Sequence, residues 1–298
     1  MGDAIRSALD QTWKPIELIV VDDASSDLSA SVISVFGESI RIISLESNHG
    51  GAFARNRGAD AARGDFIVFL DADDLLGSTA VAEMMKTSVR RPGQIIACRF
   101  SYLVADDGKW KSIPSRARTY SDDDQLLGWL EGNWSPPCAL MWPRQVYDSV
   151  GGWNESLTRN DDGDIAMRAL ASGVRIAGAG AGEVFYRRHR KTRVSMSTMR
   201  SSDSHLRSAM RVLTDLSSEL ERQGRLARYR LAIEEDLAEI ATLAFRAGLD
   251  TLARETVAIA RRRAASGVGN GSRLRDRIYA SSVRTRGQAR RWIKRRWR

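Results

Sequence analysis

The sequence predicts an α/β protein, a sheet flanked by helices, on three observations. Short apolar runs at 17–21, 40–45 and 66–70 alternate with helical segments near 27–36 and 51–62, the rhythm of βαβ units. Two of those runs, Glu17-Leu-Ile-Val-Val and Phe66-Ile-Val-Phe-Leu, are nearly continuous in apolar residues, as strands covered on both faces are. Both end in carboxylates, Asp22-Asp23 after the first and Asp71-Ala72-Asp73-Asp74 after the second. Ligands of open α/β sheets bind beyond the carboxyl ends of strands. Clustered carboxylates there repel one another unless a cation or a donor-rich ligand compensates them.

The remaining elements follow in chain order. Residues 3–13 place Ile5, Ala8, Leu9 and Thr12 near one helical face, and Lys14-Pro15 stops that helix. Between the second and third strands, Asn48-His49-Gly50-Gly51-Ala52-Phe53-Ala54-Arg55-Asn56-Arg57-Gly58 is a Gly-rich turn opening a helix that carries an arginine and an amide. A helix near 77–90 and a strand near 94–104 come next, and the polar stretch 105–121 is a loop or a β-hairpin excursion. Residues 203–260 read as helices rich in Leu, Ala, Arg and Glu, without a catalytic pattern. Ser266-Gly-Val-Gly-Asn-Gly-Ser272 is a flexible break.

Each acidic or Gly-rich signal also has a plain structural use. Asp71, Asp73 and Asp74 would serve a turn and the cap of the next helix, and Asp22 and Asp23 would cap a helix starting near Ser26-Asp27. Gly50 and Gly51 would supply positive φ, and Arg55 would lie on a solvated helix face. The ordered set, rather than any member, points to a site.

That set resembles family 2 glycosyltransferases of the inverting GT-A type. Their strand ending in V-D-D-x-S, their N-x-G-x-x-x-A-R-N-x-G helix and their D-x-D after the next buried strand all occur here, in that order. Gly151-Gly152-Trp153-Asn154-Glu155-Ser156-Leu157 is similar to the family's G-G-F-D-E-x-L turn. Asn160-Asp161-Asp162-Gly163-Asp164-Ile165-Ala166-Met167-Arg168 is similar to its E-D-x-D-L-x-x-R helix start, with Asp161 in place of the glutamate. Phe185 to Ser197 resembles its Y-R-x-H-x-x-x-x-S segment. The resemblance runs over roughly two thirds of the chain and implies a GT-A mixed sheet flanked by helices, with a helical C-terminal extension. It divides the chain into a GT-A domain (1–200), a helical extension (201–264) and a basic tail (265–298). The family also begins with an apolar strand ahead of the first helix, and no such strand precedes residue 3 here. Two inner sheet edges are therefore expected to lack a neighbour.

For chemistry, the resemblance implies metal-dependent, inverting transfer of a sugar from a nucleoside diphosphate sugar to a saccharide or lipid-linked acceptor, in cell-envelope or exopolysaccharide synthesis. Asp162, with Asp161 beside it, would be the catalytic base. Asp22, Asp23, Arg55 and Asp71 would contact the nucleotide, and Arg188 or Arg193 would neutralise the diphosphate. Asp73 and Asp74 would bind Mg²⁺ or Mn²⁺, and His189 would complete the metal shell or touch the diphosphate. A donor-binding protein without turnover and a nucleotidyltransferase are the alternative readings. A dinucleotide oxidoreductase is disfavoured because no G-x-G-x-x-G follows any strand.

Charge and composition bound the partners. The chain of 298 residues carries 46 Lys and Arg against 37 Asp and Glu, a net charge of +9. Residues 261–298 alone hold a net +13, which leaves residues 1–260 at −4. The basicity belongs to the tail, where Trp292, Ile293 and Trp297 lie among arginines. Such a tail suits an anionic membrane surface or, almost equally, a solvated and disordered segment, and no recognised fold supports nucleic-acid binding. Cys98 and Cys138 make no metal-ligand pattern and read as small buried hydrophobes in a reducing compartment. The expected location is the cytoplasm, at the inner face of the plasma membrane.

Overall fold

The computed structural model describes residues 1–106, 109–115, 120, 124–188 and 202–265. The chain divides into two compact units, the first formed by Met1–Leu126, Asn133–Glu155 and Asp161–Thr192. Within it, β1 (Ile19–Asp22) and β2 (Arg41–Ser44) pair in parallel, Ile19 opposite Arg41 and Asp22 opposite Ser44. Six further strands make a second sheet: β3 (Phe66–Val68), β4 (Leu75–Leu76), β5 (Ile95–Asp106), β6 (Lys109–Pro114), β7 (Leu140–Pro143) and β8 (Ile176–Arg188). Their order is β3-β7-β5-β8-β4, with β6 also on β5. Among the described residues, only β5–β8 is parallel besides β1–β2, so the sheet is mixed.

Helices α1 (Gly2–Leu9), α2 (Ser29–Ser34), α3 (Gly51–Ala61), α4 (Ala80–Arg90), α6 (Arg144–Ser149) and α7 (Asp161–Ala171) complete the alternation, and α5 (Gln125–Leu130) begins in this unit and ends in the second. The core beneath α4 is tightly closed, with Met84, Ile96, Cys98, Cys138, Met141 and Val184 all buried. Both cysteines are free and buried, as small hydrophobes should be.

Two local expectations are corrected and one open alternative is decided in favour of the hairpin. Helix α1 stops at Leu9 rather than Trp13 because Gln11 captures the chain. The Gln11 amide is buried, its Nε2 donating to Ser7 and Gly77 carbonyls and its Oε1 accepting from the Val81 N–H. The polar stretch after β5 is a hairpin, Ser101 to Asp106 pairing with Pro114 to Lys109. Neither apolar strand is covered on both faces: β1 is half-buried along its whole length, and β3 buries Ile67 between half-buried Phe66 and Val68. Among the described residues β1 pairs only with β2, and β3 pairs only with β7, so each apolar strand keeps one side without a ladder. The starts of these two strands are tied through Glu17, whose Oε1 accepts from the backbone N–H groups of Arg63 and Gly64.

Arg144 fixes the end of α3. Its guanidinium donates to the carbonyls of Ala59, Ala62 and Gly64, at 3.3, 2.8 and 3.0 Å. A cation on orphan carbonyls at a helix C-terminus is favourable on both hydrogen-bonding and dipole grounds.

The second unit comprises Leu127–Gly132, Ser156–Asn160 and Arg193–Arg298. Its helices are α8 (Asp203–Arg222), α9 (Leu226–Arg246) and α10 (Asp250–Ala265). The buried Leu206, Ala209, Leu213, Leu216 and Leu220 make one helical stripe on α8, the spacing that packs helix on helix. Within this unit the Ser208 hydroxyl accepts from the amides of Thr158 and Arg159 and donates to the Arg159 carbonyl. No helix among the described residues is long and apolar enough to cross a membrane.

Candidate functional site

At the tip of β1 the carboxylates build a turn. Asp23 accepts from the backbone N–H of His49 through Oδ1 at 2.8 Å and from that of Gly50 through Oδ2 at 2.7 Å. It thereby fixes the Gly-rich turn in front of α3, and the Asn48 amide returns a bond to the Asp23 carbonyl. Asp22 accepts from the Ser25 N–H at 3.2 Å, within its own turn. Asp23 therefore holds the turn 26 residues downstream of it, in front of α3, and does not cap the next helix in the chain.

The tip of β3 is built differently. The Asp74 N–H closes a turn onto the Asp71 carbonyl. Because Leu75–Leu76 then joins the sheet as β4 beside β8, the Asp74 side chain turns inward and is 1% exposed. Its Oδ1 accepts from the Arg187 N–H at 2.9 Å, and its Oδ2 accepts from the Cys138 thiol. Burial, reinforced by Asp71 and Asp73, raises the Asp74 pKa to about 7. Burial likewise pushes the Cys138 thiol up. Asp73 stays half-buried at the tip. Arg187 holds Asp3 at 2.9 Å and lies 5.0 Å from the Trp110 ring centre.

Asn56 joins α3 to the turn Gly151-Gly152-Trp153-Asn154-Glu155. Its Nδ2 donates to the Trp153 carbonyl and to Glu155, while its Oδ1 accepts from the Trp153 N–H and the Tyr147 hydroxyl. The approach is so close that a Cβ on Gly152, at φ 67°, would lie 2.9 Å from both Asn56 Oδ1 and the Tyr147 oxygen. Only glycine meets both the conformation and the space. Behind the turn, Arg168 of α7 is paired with Asp164 and donates to the carbonyls of Val150 and Gly152. The spacing that resembles a catalytic helix start thus also clamps the Gly-Gly turn.

Between these parts lies Arg55. One guanidinium nitrogen donates to Asp71 at 2.6 Å and another to Asp161 at 2.9 Å. Its plane lies 4.5 Å from the Trp153 ring centre. Burial opposes the charge on Arg55, but the fields of Asp71 and Asp161 win and raise its pKa. Asp162, next to Asp161, has its pKa raised to about 6, first by burial and then by Asp161. Only the Gly163 N–H and the Arg55 charge act the other way to any extent.

The structure therefore brings Arg55, Asp71, Asp161 and Asp162 together. It sets Asp22 and Asp23 on their own turn, and it stacks Arg188 on Tyr102 at 3.7 Å. His189 and Arg193 lie outside the described residues, as does the tail from 266. Sequence reading passed over Trp153 as a partner of Arg55, and Arg187 as the residue that meets Asp74. The W-N-E turn and the basic run 187–193 were the available signals.

Among the described residues no three His, Cys, Asp or Glu side chains gather as a metal cage. A Mg²⁺ on a nucleotide needs less, one or two carboxylates and the phosphates themselves. Asp73 fits that demand, whereas Asp74 is enclosed and titrates near neutrality.

Residues 1–148 match the family described as Glycosyl transferase family 2. The chain is similar to the succinoglycan biosynthesis protein ExoO of Rhizobium meliloti (strain 1021), 27% identical over 183 residues, or 58% of this chain and 53% of ExoO. It is also similar to the UDP-Glc:alpha-D-GlcNAc-diphosphoundecaprenol beta-1,3-glucosyltransferase WfaP of Escherichia coli, 40% identical over 83 residues, 27% of this chain and 33% of WfaP. The chain spans between 35% and 53% of the first curated relatives it matches. Among solved structures, S. aureus TarS 1-349 in complex with UDP-GlcNAc superposes with a TM-score of 0.62 at 15% identity, over 87% of this chain and 84% of that one. At that identity the likeness concerns the GT-A fold.

Proposed function

This chain belongs to glycosyl transferase family 2, and from that premise we propose that it moves a sugar from a nucleoside diphosphate sugar to an acceptor hydroxyl, with inversion at the anomeric carbon. The observation that carries the reading is the Arg55 cluster. It sets Asp162, a carboxylate whose pKa is raised to about 6, beside residues that lead to the β3 tip. A base with that pKa is ionised at neutral pH and still accepts a proton effectively.

Asp162 takes the proton of the acceptor hydroxyl as its oxygen attacks the anomeric carbon. The carbon–oxygen bond to the diphosphate breaks and the nucleoside diphosphate departs. Asp71 lies toward the ribose, and Asp22 and Asp23 border the base. Asp73 would hold Mg²⁺ or Mn²⁺ together with the diphosphate, and such an ion supplies neutralisation of the leaving group's charge. The UDP-GlcNAc in TarS supports a uridine donor. The names of ExoO and WfaP support an acceptor in surface-polysaccharide synthesis. The basic tail supports attachment to an anionic membrane surface, which gathers about 1 kcal/mol per basic residue near it.

A second reading, donor binding without turnover, is favoured by the one-sided pairing of β1 and β3. Calorimetry with UDP and Mn²⁺ beside a sugar-transfer assay separates the two. In the same assays Asp162→Asn should lower turnover by about a hundredfold or more with donor affinity kept, and Asp73→Asn should lose the Mn²⁺-dependent part of UDP binding. Full turnover in Asp162→Asn removes the base from the mechanism.

A further inference from the structure

Arg55 is placed unlike a cation that waits for a nucleotide. Its fork is occupied on two sides by carboxylates from different elements, Asp71 after β3 and Asp161 at the start of α7. Its flat face is occupied by Trp153. That indole is 3% exposed and is itself held edge-on by Phe69, with ring centres 5.1 Å apart and planes at 87°. Gly51, one helical turn before Arg55, leaves room for the guanidinium, since a Cβ there would stand 3.2 Å from Nη1.

Trp153 carries a cost that phenylalanine would not. Its Nε1 is buried and finds no hydrogen-bond partner among the described residues, an unfavourable state for a donor. The larger π face offers compensation, because tryptophan binds a guanidinium more strongly than the other aromatic rings do. The ring's unpartnered donor is thus offset by what lies above it.

Resting on the glycosyl-transfer reading, we propose that Trp153 and Arg55 are a positioning pair: the indole fixes the guanidinium, which locks Asp161, and through it the neighbouring base Asp162, at a set distance from Asp71. Neither residue touches the reacting atoms. The groups that act on Asp162 come from three elements: Asp161 on its own helix, Arg55 on α3 and Asp71 beyond β3, with Arg55 the cation among them. If Arg55 is no longer fixed, the two carboxylates act on Asp162 with less opposition, and its proton is held more tightly.

The test is a ¹³C-carboxylate titration of the full chain, with the Asp162 resonance assigned by its loss in Asp162→Asn. Arg55→Lys keeps a charge but cannot span two carboxylates with one fork, and Trp153→Leu removes the π face. Both should raise the Asp162 midpoint by half a pH unit or more, while kcat falls about tenfold and donor KM stays within threefold. Trp153→Phe, which preserves most of the packing, should shift the midpoint in the same direction by less, and it decides the matter should Trp153→Leu not fold. An unchanged midpoint in folded Arg55→Lys and Trp153→Phe overturns the proposal. So does a loss of UDP affinity in Arg55→Lys with no shift in the titration, which would make Arg55 a nucleotide-holding residue. A wild-type chain that transfers no sugar overturns the glycosyl-transfer reading instead, and the titration still decides whether the pair sets Asp162.

Discussion

The tips of β1 and β3 look nearly alike in sequence, an apolar run closed by aspartates, yet the two handle the same charge in opposite ways. At β1 the Asp23 carboxylate is met by two backbone amides from a turn 26 residues away, and it serves as a mould for that turn. At β3 the Asp74 carboxylate is enclosed with one amide and a thiol, and its pKa rises to about 7. A carboxylate given enough N–H donors becomes a building part, whereas one removed from water without a cation becomes a proton store. Residue type does not decide which occurs. The chain that follows does: small turn residues keep Asp22 and Asp23 at the surface, while Leu75–Leu76 pulls Asp74 into the sheet.

The contrast can be broken by substitution. The largest effect is expected at Asp74. It holds its proton more tightly folded than unfolded, so raising the pH from about 4 to about 7 should lower stability, by about 3 kcal/mol if the whole shift is felt. Asp74→Asn keeps an acceptor for the Arg187 N–H and should flatten that slope, gaining on the wild type as pH rises. Denaturant unfolding at pH 4.5 and pH 8 measures it, and parallel slopes in the two proteins would contradict the inward carboxylate.

Asp23→Ala comes next. It leaves the His49 and Gly50 amides without their acceptor and should destabilise by about 2 kcal/mol, since hydrogen bonds to charged groups are among the stronger ones. Amide exchange at His49 and Gly50 should accelerate more than elsewhere. Asp22→Ala, which loses a single 3.2 Å bond at an exposed turn, should cost about 0.5 kcal/mol. A larger loss there would mean that Asp22 supports the turn as much as Asp23 does.

Much of the scaffold was legible beforehand. The alternation of strands and helices, the turn before α3 and the helical residues beyond 203 all follow from local periodicity and punctuation, which are written within a dozen residues. The order of the motifs likewise identified the family, and it singled out Arg55, Asp71, Asp161 and Asp162 without showing that they meet. The orientation of each acid was not legible. Arg55 finds partners 16 and 106 residues away, Asn56 partners 91 to 99 residues away, and Asp74 a partner 113 residues away. Such separations leave no periodic trace. The coverage of β1 was misjudged for a related reason, since an apolar run reports what a strand can tolerate and not how many neighbours it has.

The interlock of Asn56, Tyr147 and Gly152 carries a lesson for anyone recombining this scaffold with relatives. Because one amide serves a helix, a hydroxyl and a glycine turn at once, these segments travel as a single cassette. A chimera that sets this α3 against a turn with any side chain at position 152 will bring oxygen against carbon at under 3 Å. Breakpoints should therefore fall outside the stretch from 51 to 168, or be paired so that both halves come from one parent.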